Sequence, residues 1–257
     1  RGVRSVYSDT LKAINGSAKS TMILSGEKGE LPDASVGYAV NNFGKVTIYG
    51  YVVLNNTVKT TTLDLNYSTL FTGKNSVTVV DIVARPNSLI VYTTPEFTPV
   101  TVTGDIKDGL TPLVLGLADI SEGISYQKLE PNSTVLTAKK ADLSKITVAD
   151  DSAPGDGYTL ARVGSDVKIM PAAFKLSHED VDDGNYALWS DVLAKIAENA
   201  NADKTNKELT YTVKLLADAD IGGAFTMPPA NAYKGLLIGS DNAAAIRFTG
   251  NIKTTGI

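Results

Sequence analysis

Short β-branched runs dominate the hydrophobic pattern of the chain. Residues 46–49 (VTIY), 62–65 (TLDL), 77–82 (VTVVDI), 89–92 (LIVY), 100–103 (VTVT) and 113–115 (LVL) are each bounded by Gly, Asn, Pro or Asp. Branched and aromatic side chains cover a pleated surface well and the flanking residues favour turns, so each run predicts a strand. The starts at 77 and 100 lie 23 residues apart, and the runs at 63, 89 and 113 follow at intervals of 26 and 24. A period of about two dozen residues holding two or three strands suits the coils of a stacked solenoid. The strands at 77 and 100 are therefore expected to be parallel neighbours in one sheet.

Two stretches follow a helical period instead. Tyr186, Trp189, Leu193, Ile196 and Ala200 recur at intervals of three and four, which predicts an amphipathic helix over 186–200 with Asp182, Asp183 and Asn185 as N-cap candidates. Val3, Tyr7, Leu11 and Ile14 line a similar stripe over 3–14, closed by Asn15-Gly16. The two stretches also echo each other as aromatic-Ser-Asp-x-Leu-x-x-Ile. After each the echo goes on in the same order, with Thr21-Met22-Ile23-Leu24 answered by Thr212-Val213-Lys214-Leu215 and Val46-Thr47-Ile48 by Leu236-Leu237-Ile238. A long-period repeat follows, each unit opened by a short amphipathic helix. The expected organisation is residues 1–118 as a helix plus β-solenoid unit, 119–178 as a connector or small β module, and 179–257 as the start of a second, homologous unit.

Composition narrows the setting. The 257 residues are 43% hydrophobic and 20% charged with a formal charge of −4, which suits a folded chain and gives no global positive field for nucleic acid. No run reaches the roughly 18 apolar residues of a spanning helix. Cysteine is absent, which removes thiol catalysis, thiolate metal sites and disulfides together. The first residue is Arg1 and no apolar leader follows it, so a processed or excised stretch of a longer polypeptide is expected.

Candidate chemistry is sparse. His178 is the sole histidine, so any triad or two-histidine site would have to use it, and its Ser177-His178-Glu179-Asp180 setting reads as a solvated loop. Neither a Gly-x-Ser-x-Gly elbow nor a phosphate-binding Gly-x-x-x-x-Gly-Lys-Ser/Thr loop occurs. No catalytic residue and no cofactor is assigned. Asp180, Asp182 and Asp183, with Asn185 beside them, offer hard oxygens around Gly184 and form a calcium candidate, although helix capping accounts for the same residues. Asp150, Asp151 and Asp156 make a second acidic loop. Tyr49, Tyr51, Tyr67 and Tyr92 form either a sugar-stacking face or ordinary strand packing.

The coil spacing, the Thr/Asn/Gly-rich corners and the recurring Thr-Gly-Asp/Asn-Ile-Lys at 103–107 and 249–253 resemble bacterial cell-surface tandem-repeat proteins built of right-handed parallel β-helix repeats of the pectin-lyase-like type. The resemblance covers residues 20–118 and 209–257. It implies a mainly β chain of parallel solenoid repeats, with antiparallel β-sandwich modules as the alternative. The polysaccharide-cleaving members' Asn-Thr-Asp, Gly-His-Gly and Arg-Ile-Lys motifs are missing. The expected role is thus a non-enzymatic extracellular module of a bacterial surface protein, acting as stalk, adhesin or surface-layer element. Its expected partners are neighbouring repeats or further copies of itself, with a glycan or host surface beyond them. A carbohydrate-active enzyme or carbohydrate-binding module on a β-helix scaffold is the alternative.

Overall fold

The computed structural model describes residues 12–30, 32, 34–107, 111–140, 142–202, 209–221, 223–229 and 231–253. They are mainly β, with one α-helix. The chain divides into two compact units, Arg1–Pro154 with Arg162–Lys168, and Gly155–Ala161 with Ile169–Ile257. The segment expected as a connector is shared between them.

In the first unit β1 (Ala13–Asn15), β2 (Thr21–Ser25) and β3 (Ala34–Val36) precede two long strands, β4 (Ala39–Leu54) and β5 (Val58–Thr72). Then come β6 (Val77–Ala84), β7 (Leu89–Thr93), β8 (Thr101–Val102), β9 (Ile106–Lys107), β10 (Leu113–Asp119), β11 (Ser125–Tyr126), β12 (Thr134–Ala138) and β13 (Ile146–Val148). Neighbours pair mostly in parallel, and β6 lies parallel to β8 with Thr78 opposite Thr101, as the 23-residue spacing predicts. Antiparallel pairs enter at β10 with β11, and where β12 meets Asp166–Lys168 of β15 (Asp166–Pro171), whose preceding strand is β14 (Tyr158–Val163). The result is a curled mixed sheet with the section of a half-barrel, not the closed coil expected of a solenoid.

Chain length explains the curl. β4 and β5 are parallel from Val40 opposite Val58 to Leu54 opposite Thr72, yet only residues 55–57 connect them. A straight β4 would run about 50 Å, and three residues span about 11 Å at most. The strand therefore bends back toward its own start. The register slips between Asn41 and Phe43 and again between Tyr49 and Gly50. Asn42 and Gly50 hold φ of +61° and +63° at these bends.

Alternation then sorts the faces. Met22, Val46, Leu63, Ile82 and Ile106 stand opposite one another on successive strands, and so do Leu24, Ile48, Leu65 and Ala84. All but Met22 are buried. Burying each large aliphatic side chain contributes about 1.5–3 kcal/mol. Between these two columns runs Ile23, Thr47, Asp64, Val83 and Lys107, on the opposite face of the sheet.

The second unit opens with the hairpin β16 (Phe174–His178) and β17 (Val181–Tyr186), followed by α1 (Trp189–Ala202). Then come β18 (Thr210–Leu215), β19 (Ala219–Ile221), β20 (Phe225–Thr226), β21 (Gly235–Ser240), β22 (Ile246–Phe248) and β23 (Ile252–Lys253). β18 pairs antiparallel with β16 and parallel with β21, while β19 with β22 and β20 with β23 are parallel. The buried stripe of α1, Trp189, Val192, Ile196 and Ala200, joins a core with Phe174, Leu176, Tyr211, Val213 and Leu215.

Two sequence expectations are corrected. The helix over 3–14 falls mostly on residues outside those described, and its last turn is strand: Ala13–Asn15 pairs in parallel with Ala39–Asn41. Asp182, Asp183 and Asn185 do not cap a helix but belong to β17, because the chain turns at Glu179, φ +48°, and pairs back on β16 from His178 opposite Val181. α1 starts three residues later than expected, and its first turn carries Asp191.

Candidate functional site

The outer face of the first unit gathers the charges. Asp64 is flanked on β5 by the core residues Leu63 and Leu65, and its own side chain is only 6% exposed. Burying a carboxylate is costly unless it is paired. Arg85, just past β6, donates to it through Nε at 3.0 Å and Nη2 at 3.3 Å, and Lys45 of β4 lies 3.6 Å away. The paired carboxylate holds the Arg85 guanidinium above its ordinary pKa. One buried acid thus ties three successive strands. Asp81 repeats the device one step on: Lys107 lies 2.7 Å away and the Asp105 amide donates to Oδ1 at 3.1 Å. Burial pushes the Asp81 carboxyl up, but Lys107 and that amide outweigh it and set its pKa below the ordinary 3.8.

Beside Arg85 stand two exposed rings. Tyr49 is 40% exposed and Tyr67 55%, and both tyrosines lie within electrostatic reach of the guanidinium. Tyr49 faces Asn66 in register, so Tyr67 follows on the next strand. Tyr67 has φ of +50°, a region that a bulky side chain rarely enters. The next residue is fixed behind it: the Ser68 amide donates to Ser88 Oγ at 3.4 Å, and that hydroxyl donates to the Leu65 carbonyl at 3.2 Å.

The other two tyrosines of the expected sugar-stacking set are structural. Tyr51 is half-buried edge-on to Phe71, with centroids 5.7 Å apart. Tyr92 is fully buried; its hydroxyl donates to the Val135 carbonyl and accepts from the Val100 amide, and burial pushes its pKa up.

In the second unit the acidic turn is occupied by its own neighbours. His178 is not a solvated loop residue. It ends β16 with its Nδ1 2.6 Å from Asp183 Oδ2 and its ring 5.4 Å from that of Tyr211. The other Asp183 oxygen accepts from Asn199 of α1 at 2.9 Å. Asp182 pairs with Lys175 at 2.8 Å and accepts from the Gly184 amide at 3.0 Å; these contacts set its pKa below the ordinary range. Asp180 lies exposed at the turn. Asp182 and Asp183 therefore engage different groups with Asp180 exposed beside them, and among the described residues no three His, Asp or Glu side chains converge as metal ligands. Asp150 and Asp151 are exposed in a turn pinned by Ser152, whose buried hydroxyl donates to the Leu117 carbonyl at 3.2 Å and accepts its amide at 2.9 Å.

Lys45, Asp64 and Arg85 were not singled out by motif. Their signal is spacing: 19 and 21 residues separate them, close to the 17–20 residues by which β4, β5, β6 and β7 are offset. No family model, curated protein or solved structure matches the chain.

Proposed function

We propose that the chain is a non-enzymatic β-solenoid module of a bacterial surface protein, working outside the cell as a stalk, adhesin or surface-layer element. The observation that carries this reading is the register of the first unit. The parallel pairs that join β4 to β5, β5 to β6 and β7, β6 to β8 and β9, and β7 to β10 are offset by 17–25 residues. The offset widens to 33 and 36 where β10 meets β13 and β8 meets β12, and the connection between β4 and β5 is only three residues. Continued in both directions, that register gives a parallel β-helix, with the chain advancing one strand spacing per turn. In the second unit β18, β19 and β20 pair with β21, β22 and β23 at offsets of 25–27, which extends the same reading there.

Such a build suits a spacer. Each coil contacts only its neighbours, so length grows by adding coils and load is shared along the backbone ladder. The chemistry agrees, because Asp64, Asp81 and Asp183 are bound to bases and none is held free beside a second acid. Pulling the protein from its two ends in an optical trap tests the reading. Coil-wise release should lengthen the first unit in increments of about 6–9 nm, the reach of 17–25 residues. Loss of the whole unit in one step would count against a solenoid. Release of reducing ends or unsaturated sugars from pectin, alginate or a host glycan would count against a non-enzymatic role.

A further inference from the structure

The bend after Tyr49 is turned on three successive passes of the chain by a residue with positive φ: Gly50 at +63°, Tyr67 at +50° and Asn87 at +56°. Glycine and asparagine enter this region readily, whereas for other residues it is strained. Tyr67 is thus the wrong residue for the backbone it sits on. Burial repays little of the strain, since the residue is 55% exposed. Residues held in such strain cluster at active sites, ligand clamps and switch regions, and an exposed one with a flat ring fits a ligand clamp.

We infer that Tyr67, with Tyr49, Arg85 and Lys45, forms a binding face for an anionic glycan. The two rings offer flat apolar surface for the C–H face of a pyranose, with a hydroxyl at the rim. Arg85 spends one edge of its guanidinium on Asp64, so N–H donors remain on the solvent side, where its side chain is 46% exposed. Lys45 is equally exposed. Asp64 neutralises only one of the two cations, which leaves one positive charge in excess on a chain of net charge −4. A sulfate or carboxylate on the sugar would take charge-assisted hydrogen bonds from both. Adjacent strands lie about 4.8 Å apart, close to the rise of one sugar unit along a linear polysaccharide, so a polymer could run across the strands with successive units meeting Tyr49, Tyr67 and Arg85. The stalk reading does not depend on this face.

Calorimetric titration with heparin, hyaluronan and dextran, together with thermal melts of each variant, tests the proposal. Heparin or hyaluronan should bind and dextran should not. Binding of hyaluronan assigns the carboxylate, and binding of heparin alone assigns the sulfate. Tyr67→Asn should lower the affinity at least tenfold while the Tm stays level or rises, because asparagine relieves the backbone. Tyr67→Phe should keep most of the affinity, and Arg85→Lys, which leaves Asp64 paired, should weaken it several-fold. The proposal is overturned if neither anionic polymer binds, if dextran binds as tightly, if Tyr67→Asn binds like the parent chain, or if that variant melts lower and so reveals the ring as part of the fold.

Discussion

The carboxylate at position 64 stands in a strand whose neighbours Leu63 and Leu65 are fully buried, and the cations that neutralise it reach in from the surface. The two sides of this ion pair are unequal. Removing the acid leaves two cations that water can solvate, whereas removing Arg85 leaves a buried anion short of its bidentate partner. Arg85→Ala is expected to cost about 1–3 kcal/mol in urea denaturation, and Lys45→Ala much less, since Lys45 Nζ stands 3.6 Å away and donates no bidentate pair. Together with Asp182, Asp81 contributes to the response to acid. Its folded pKa lies below the ordinary 3.8, so its contribution is complete above that value and is lost as pH falls through the folded pKa. The parent protein should therefore lose stability on acidification below about pH 4, and Asp81→Asn should show a shallower loss over the same range in a series of melts. The sequence makes His178 look solvated, because a run of acidic residues follows it. The structure ties it to Asp183, so His178→Ala should lower the Tm, and an unchanged melt would refute the structural role given to that contact.

The helix over Trp189–Ala202 and the strands at 46, 62, 77, 89, 100 and 113 are where sequence reading worked best, since hydrophobic period is a local signal that burial then enforces. It failed where one set of residues suits two elements. Asp182, Asp183 and Asn185 serve equally as helix caps and as the returning strand of a hairpin, and only pairing with β16 decides between them. The Lys45, Asp64 and Arg85 cluster was illegible for a different reason. Its members adjoin only once the pairing register of β4, β5 and β6 is known, and that register is shifted at Asn42 and Gly50, which look like ordinary surface residues in the sequence. Gly50 shows how strict such a bend is. A Cβ there would run into the Gly26 carbonyl oxygen on the neighbouring pass, and φ is +63° as well. Gly50→Ala should cost upward of about 2 kcal/mol, read as a fall in the urea midpoint. In the second unit Trp189 stacks on Phe225 at 4.8 Å and donates from Nε1 to the Thr226 carbonyl at 2.7 Å. Trp189→Ala should remove about 3–5 kcal/mol from that unit. As Trp189 is the only tryptophan, the fluorescence of the parent chain follows that unit alone.

Over the whole molecule, stability should be graded by how many neighbours a strand has. β5 is held by β4 on one side and by β6 and β7 on the other, and it carries Leu63, Leu65, Leu70 and Phe71, all fully buried. Among the described residues β1, β2 and β3 pair only with β4, while β22 and β23 each pair with a single strand, and Phe248 and Ile252 are exposed. A strand with one neighbour can open by giving up half the ladder bonds of one with two, and opening free energies in a folded chain run from near zero at frayed edges to the global value in the core. Since parallel neighbours here lie 17–25 residues apart, that gradient follows position in the sheet instead of distance along the sequence. Hydrogen exchange read by mass spectrometry should therefore show the amides of Leu63, Leu65, Leu70 and Phe71 exchanging slowest in the first unit. Those of Thr21–Ser25 should exchange orders of magnitude faster although the side chain of Leu24 is buried. In the second unit β16 and β18 should outlast β22 and β23. Uniform protection from β2 through β10 would mean that the first unit opens as one cooperative body, and the coil-wise reading of its register would fail with it.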